Sequence, residues 1–112
     1  MSRVRWHMVR DGAALTLARP GRARLDVAAR ISLPLAARGR LAHQIRQDLW
    51  RELRALRGFS PVVRITRSNR GLDVLAGGQW DRAVPGIAAR IEAVLNDPLR
   101  QQRWLAHARV RS

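Results

Sequence analysis

The hydrophobic pattern of this chain changes period at Pro34, and that change limits the folds open to it. Before the proline, Leu25, Val27, Ala29, Ile31 and Leu33 alternate with Arg22, Arg24, Asp26, Arg30 and Ser32 on the opposite parity. Side chains of a strand point to opposite faces in turn, so Arg22 to Leu33 reads as a strand with one apolar face. After the proline, Leu41, Ile45, Leu49, Leu53 and Leu56 recur at intervals of four, four, four and three. That is the stripe of an amphipathic helix, ending near Arg57 with Gly58 as its stop. A one-faced strand that feeds a one-striped helix must share a core with it, which selects a layered α and β architecture.

The remaining elements follow from the same periods. Val4, Trp6 and Met8 alternate with Arg3, Arg5 and His7. Asp11-Gly12 suits the positive φ angles of a tight turn, and Leu15 and Leu17 resume the alternation, giving a first hairpin. Pro20-Gly21 turns the chain into the third strand. Pro61 opens a second hairpin, in which Val63 and Ile65, then Leu72, Val74 and Ala76, form the apolar parity around a turn from Ser68 to Gly71. Pro85-Gly86 introduces a helix with Val84, Ile87, Ala88, Ile91, Val94 and Leu95 on its apolar face. At Asn96-Asp97-Pro98 the chain stops and restarts, Asp97 capping a last helix over Leu99 to about Arg109.

The expected fold is therefore α+β: one compact basic domain over residues 1–112, with a mostly antiparallel five-stranded sheet in the order β-β-β-α-β-β-α-α and helices on one face. From residue 22 onward, β-α-β-β-α resembles most of a ferredoxin-like split βαβ unit, with the N-terminal hairpin as added strands. That resemblance is architectural and implies no function.

With no cysteine there is no disulfide framework, thiolate metal site or cysteine nucleophile, and the cytoplasm is the expected compartment. Arginine interrupts every apolar stretch before a transmembrane length, and no apolar run follows Arg3 and Arg5 as a secretory signal requires. Residues 3 to 9 alternate like a strand, unlike a helical mitochondrial presequence. The chain carries 22 basic against 8 acidic residues, a net charge of +14. All 22 are arginine, the bias of a GC-rich coding background, so the acid deficit carries more information than the choice of arginine over lysine. It implies an anionic partner: RNA or DNA, an acidic protein or, ranked lower, an anionic membrane surface. Membrane attachment ranks lower because the core claims the apolar stripe of the helix over 38–57.

Parity assigns the charge to the sheet face away from the helices. Arg3, Arg5, Arg22, Arg24, Arg30 and Arg64 share it with Asp26 and Asp73, six arginines against two acids. Guanidinium pairs bidentately with phosphate and stays charged at any relevant pH, so this face is the expected nucleic-acid contact. Arg67 and Arg70 join it at the second hairpin, although Arg67 has the core parity of Leu72 and must snorkel. Trp6 has core parity, and Trp50, Trp80 and Trp104 read as packing residues. Arg70 to Leu75 carries no aromatic, unlike an RNA recognition motif. The expectation is thus a backbone and shape reader of structured RNA or of a ribonucleoprotein. The alternative is a non-catalytic assembly protein that docks an acidic partner, with tryptophan and arginine as anchors.

Catalytic and cofactor signatures are missing from the pattern. Without lysine there is no P-loop lysine and no Schiff base, and no glycine fingerprint opens a helix. His7, His43 and His107 lack metal spacing. Asp48 and Glu52 stand i, i+4 on the first helix, a pair that could hold a divalent ion, but Arg51 and Arg54 adjoin them and a charge-tempering role is expected. No enzyme, cofactor or metal is expected.

Overall fold

The computed structural model describes residues 5–82 and 84–109. Five strands, β1 (His7–Asp11), β2 (Ala14–Ala18), β3 (Val27–Leu33), β4 (Ser60–Ser68) and β5 (Gly71–Gln79), form one sheet with α1 (Arg38–Leu53), α2 (Ile87–Leu95) and α3 (Pro98–His107). The sheet order is β1-β2-β4-β5-β3, and every neighbouring pair is antiparallel. The α+β architecture expected from the periods is the one adopted. Because β3 and β4 both run antiparallel to β5, they are parallel to each other, joined through α1 with β5 inserted between them. That is the split βαβ arrangement, and the β1–β2 hairpin extends it beyond β4.

Register carries the apolar parity across the sheet in continuous rows. Leu15 pairs with Ile65, Ile65 with Val74, and Val74 with Ile31, all buried. Onto this face α1 lays Leu41, Ile45, Leu49 and Leu53, α2 lays Ile87, Ile91, Val94 and Leu95, and α3 contributes Trp104, in one core cluster. Each fully buried side chain of this kind contributes about 1.5–3 kcal/mol relative to exposure. No helix among the described residues is long and apolar enough to cross a membrane.

Three boundaries differ from the periodic reading, the first being β1, which begins at His7 and runs on to Asp11, where it pairs with Ala14. Helix α1 ends at Leu53, and the chain reaches Gly58, at φ +84°, through tighter turns in which Leu56 N–H donates to the Leu53 carbonyl at 2.9 Å. Strand β3 starts at Val27 instead of Arg22. The backbone of Arg22 instead donates to the Arg19 carbonyl at 3.0 Å around Pro20-Gly21. Asp26 then accepts from Trp80 N–H at 2.9 Å and from the Arg24 guanidinium at 3.1 Å. Asp26 N–H still donates to the Gly78 carbonyl at 3.0 Å, whereas residues 22–25 lie outside the ladder, so the alternation there reports no strand.

The tryptophans divide by burial. Trp104 is fully buried and donates to the Asp48 carboxylate at 2.7 Å, while Trp80 is buried and donates to the Arg57 carbonyl at 3.0 Å. Trp6 is half-buried against the core edge. Trp50 departs from the packing expectation and is 39% exposed. One residue beyond Leu49 on the helix, it is turned about 100° from the core stripe.

Candidate functional site

The sheet face away from the helices is less basic than parity alone suggests. Of the six arginines that parity assigned to it, only Arg30 and Arg64 stand on described strands. They lie in one row, Val9, Thr16, Arg64, Leu75 and Arg30, about 10 Å apart across β5. Arg30 pairs with Asp73 at 3.8 Å, and Arg64 donates to the Thr16 hydroxyl at 3.4 Å. Arg5 is exposed ahead of β1, and Arg3 lies outside the described residues. Arg22 and Arg24 belong to the connection from β2 to β3, where Arg24 is held between Asp26 at 3.1 Å and Asp81 at 3.2 Å. Hydrogen bonding to Arg24, and secondly to the Trp80 amide, lowers the Asp26 carboxyl from its ordinary value. At this end of the sheet Ala18, Ser60 and Val62 have the open-face parity yet are buried. The connection crosses here, and Arg24 N–H donates to the Gln79 side chain on that same face at 3.2 Å.

Asp11 ends β1 with no ion-pair partner among the described residues, and the paired carboxylates lie elsewhere. Asp48 is buried and takes Arg103, Arg51 and the Trp104 indole; Glu52 faces Arg90 and Arg100; Asp97 faces Arg100. The i, i+4 pair of α1 is thus divided among cationic neighbours on α1, α2 and α3. Among the described residues no group of three or more His, Cys, Asp or Glu side chains could hold a metal ion. Acid pairing occupies the α2–α3 side, the Arg24 corner and Arg30 on the open sheet face, and leaves another set of guanidiniums without it.

That set converges where α1 begins. Arg10 of β1, Arg67 of β4, Arg38 and Arg40 of α1, and Arg109 beyond α3 line one open cleft of about 520 Å³ together with Ala36, Ala37 and Gly39. None of these five arginines has a carboxylate within ion-pair distance among the described residues. The backbone holds the cleft together. Ala37 N–H donates to the Ala108 carbonyl at 2.7 Å, placing Arg109 beside the start of α1, and Arg67 N–H donates to the Ala13 carbonyl at 2.9 Å. The Arg38 side chain donates to the same Ala13 carbonyl at 2.6 Å. A Cβ on Gly39 would lie 3.2 Å from Met8 Sδ, so β1 rests directly on the first turn of α1. That turn has no acidic residue and no side-chain cap. Its free N–H groups and positive dipole end add to the five guanidiniums, where an anion is favoured and cations are not.

Of the residues expected at the hairpin, Arg67 enters this cleft and Arg70 does not. Arg70 occupies the exposed two-residue turn, its N–H donating to Ser68 Oγ at 3.2 Å. Arg10, Arg38, Arg40 and Arg109 were not legible as a group because they come from three separate segments. One local signal was present: arginines at positions 38 and 40 open α1 against the preference of its dipole.

Along the same β1–α1 seam, Trp6 lies beneath two guanidiniums, Arg46 at 4.6 Å and Arg19 at 5.4 Å from its ring centroid. Burial, then the Arg19 charge, lowers the Arg46 guanidinium from its ordinary value. Arg46 also donates to His43 Nδ1 at 3.3 Å, which requires a neutral imidazole, and burial followed by the Arg46 charge lowers the His43 pKa. Comparison with family models, curated proteins and solved structures finds no match to this chain.

Proposed function

We propose that this protein is a non-catalytic nucleic-acid-binding module of the cytoplasm that holds the phosphate backbone of structured RNA, alone or in a ribonucleoprotein, in the arginine cleft at the start of α1. The observation that carries this reading is the convergence of Arg10, Arg38, Arg40, Arg67 and Arg109 in one open cleft with no carboxylate among its lining residues. Phosphates there would meet charge-assisted donors from β1, α1, β4 and the segment after α3, and guanidinium suits their bidentate geometry. Arg30 and Arg64 on the open sheet face are a secondary contact, already engaged by Asp73 and Thr16.

The test is binding of a labelled hairpin RNA across a salt series. Five phosphate contacts give a slope of log K against log salt of about −3 to −5. Replacing Arg40, Arg67 and Arg109 together by alanine should flatten that slope, whereas replacing Arg24, Arg30 and Arg64 should change it less. Absence of binding at about 50 mM salt, or a cleft variant that binds like wild type, overturns the reading.

A second reading has its own observation. The exposed Trp50, with Arg54 stacked 5.5 Å from its centroid, is the residue pair expected of an anchor for an acidic protein. Recovery of one stoichiometric protein after nuclease treatment, with no RNA bound, would favour it.

A further inference from the structure

The arginine cleft is one end of a longer groove. From Gly39 to Trp50 the β1-facing stripe of α1 runs through His43 and Arg46, about 16 Å along the helix. Arg10 and Met8 of β1 face Gly39, and Trp6, just ahead of β1, faces Arg46 further along the helix. At the far end Trp6, Arg19, Arg46, Gln47, Trp50 and Arg51 line a second cleft of about 340 Å³. Its composition differs from that of the first, with two indoles among three guanidiniums. Arg51 is the one lining arginine with an acid partner, Asp48 at 3.8 Å. Arg19 and Arg46 have none among the described residues, and the Nε–H of each is buried without an acceptor. Two like charges gathered on one indole, short of acceptors, form a site that an anion stabilises. Trp50 lines the cleft whereas Arg54, stacked on the same ring, does not, which leaves the indole surface on the cleft side uncovered by Arg54.

We infer that this second cleft receives one unpaired nucleotide, its base stacked on Trp50 and its phosphate between Arg19 and Arg46, so that a single-stranded extension of the RNA held in the arginine cleft lies along the β1–α1 groove. The inference rests on the proposed function and adds to it a base-contacting site and a preference for a junction between paired and unpaired RNA. Charge complementarity and an exposed aromatic beside paired guanidiniums are what single-strand sites combine. Gln47 on the rim supplies an amide for the base edge.

The experiment compares three RNAs on the 112-residue chain: a blunt hairpin, the same hairpin with a short single-stranded tail, and that hairpin with an abasic tail of equal length. The native tail should improve affinity about tenfold over the blunt hairpin, within the range of one base on one aromatic, and the abasic tail should recover little of this. Trp50→Ala should remove the gain without changing blunt-hairpin affinity, and Trp50→Phe should restore most of it. A native tail that adds nothing, an abasic tail that works equally well, or a Trp50→Ala variant that weakens blunt and tailed RNA alike would overturn the inference while leaving the arginine cleft standing. Failure to bind even the blunt hairpin would overturn both, and capture of polyglutamate lost in Trp50→Ala would then assign the cleft to an acidic protein.

Discussion

Trp104 donates its indole N–H to the Asp48 carboxylate at 2.7 Å, from the fully buried face of α3 to a buried position on α1. Arg103 donates to the same carboxylate oxygen. This contact fixes α3 against α1 and so carries Ala108 and Arg109 to the start of α1, where the arginine cleft forms. Removing the carboxylate in Asp48→Ala leaves the buried Trp104 indole N–H without an acceptor, while Arg103, 45% exposed, returns to solvent, so the variant should destabilise by about 1.5–3 kcal/mol. Trp104→Phe deletes one hydrogen bond to a charged group together with some packing, and should destabilise by at least about 1.5–3 kcal/mol. Urea unfolding checks both, read as a lower midpoint at unchanged slope.

Acidification should weaken the fold in two stages. The His43 pKa is lowered below its ordinary 6.5, so the unfolded chain binds a proton first, and stability falls as pH drops below about 6.5 toward the folded value. The Asp26 carboxyl is lowered below its ordinary 3.8, so its contribution is full above that value and disappears as pH falls through the folded value. His43→Gln should remove the first stage and Asp26→Asn the second, as followed by thermal midpoints in a pH series.

Gly77 should tolerate no side chain. A Cβ there would collide with the Val27 carbonyl oxygen and crowd Ala28 Cα at 2.6 Å, across the pairing of β5 with β3. Gly77→Ala should lose about 1–3 kcal/mol or more, as overpacking does, and β3 should exchange its amide protons faster. Equal amide protection in wild type and variant would contradict this.

Arginines with and without acid partners should behave differently in binding. Arg24→Ala releases two carboxylates and removes a cation that they already neutralise, so RNA affinity should stay within about twofold. Arg40→Ala and Arg109→Ala should each reduce the magnitude of the salt slope by about one. Fluorescence anisotropy with one hairpin RNA at four salt concentrations measures both.

Local pattern determined much of this protein. Each strand and helix is set by a two-residue or roughly four-residue period, because backbone geometry alone decides which side chains share a face. Leu15, Ile65, Val74 and Ile31 could be assigned to the core before their register was known. The same parity placed Arg30 and Arg64 on the open face but misplaced Arg22 and Arg24, since Arg22 closes a turn onto Arg19 and Arg24 is held by Asp26 and Asp81 through bonds reaching up to 57 residues along the chain. Tertiary structure alone decided which arginines keep their charge available. Asp48 meets Arg103 across 55 residues, while Arg10, Arg38, Arg40, Arg67 and Arg109 line one cleft that has no acid among its lining residues. The physical reason is that a period reports a side chain's direction relative to its own backbone, whereas an electrostatic site depends on distances between elements, which only packing sets.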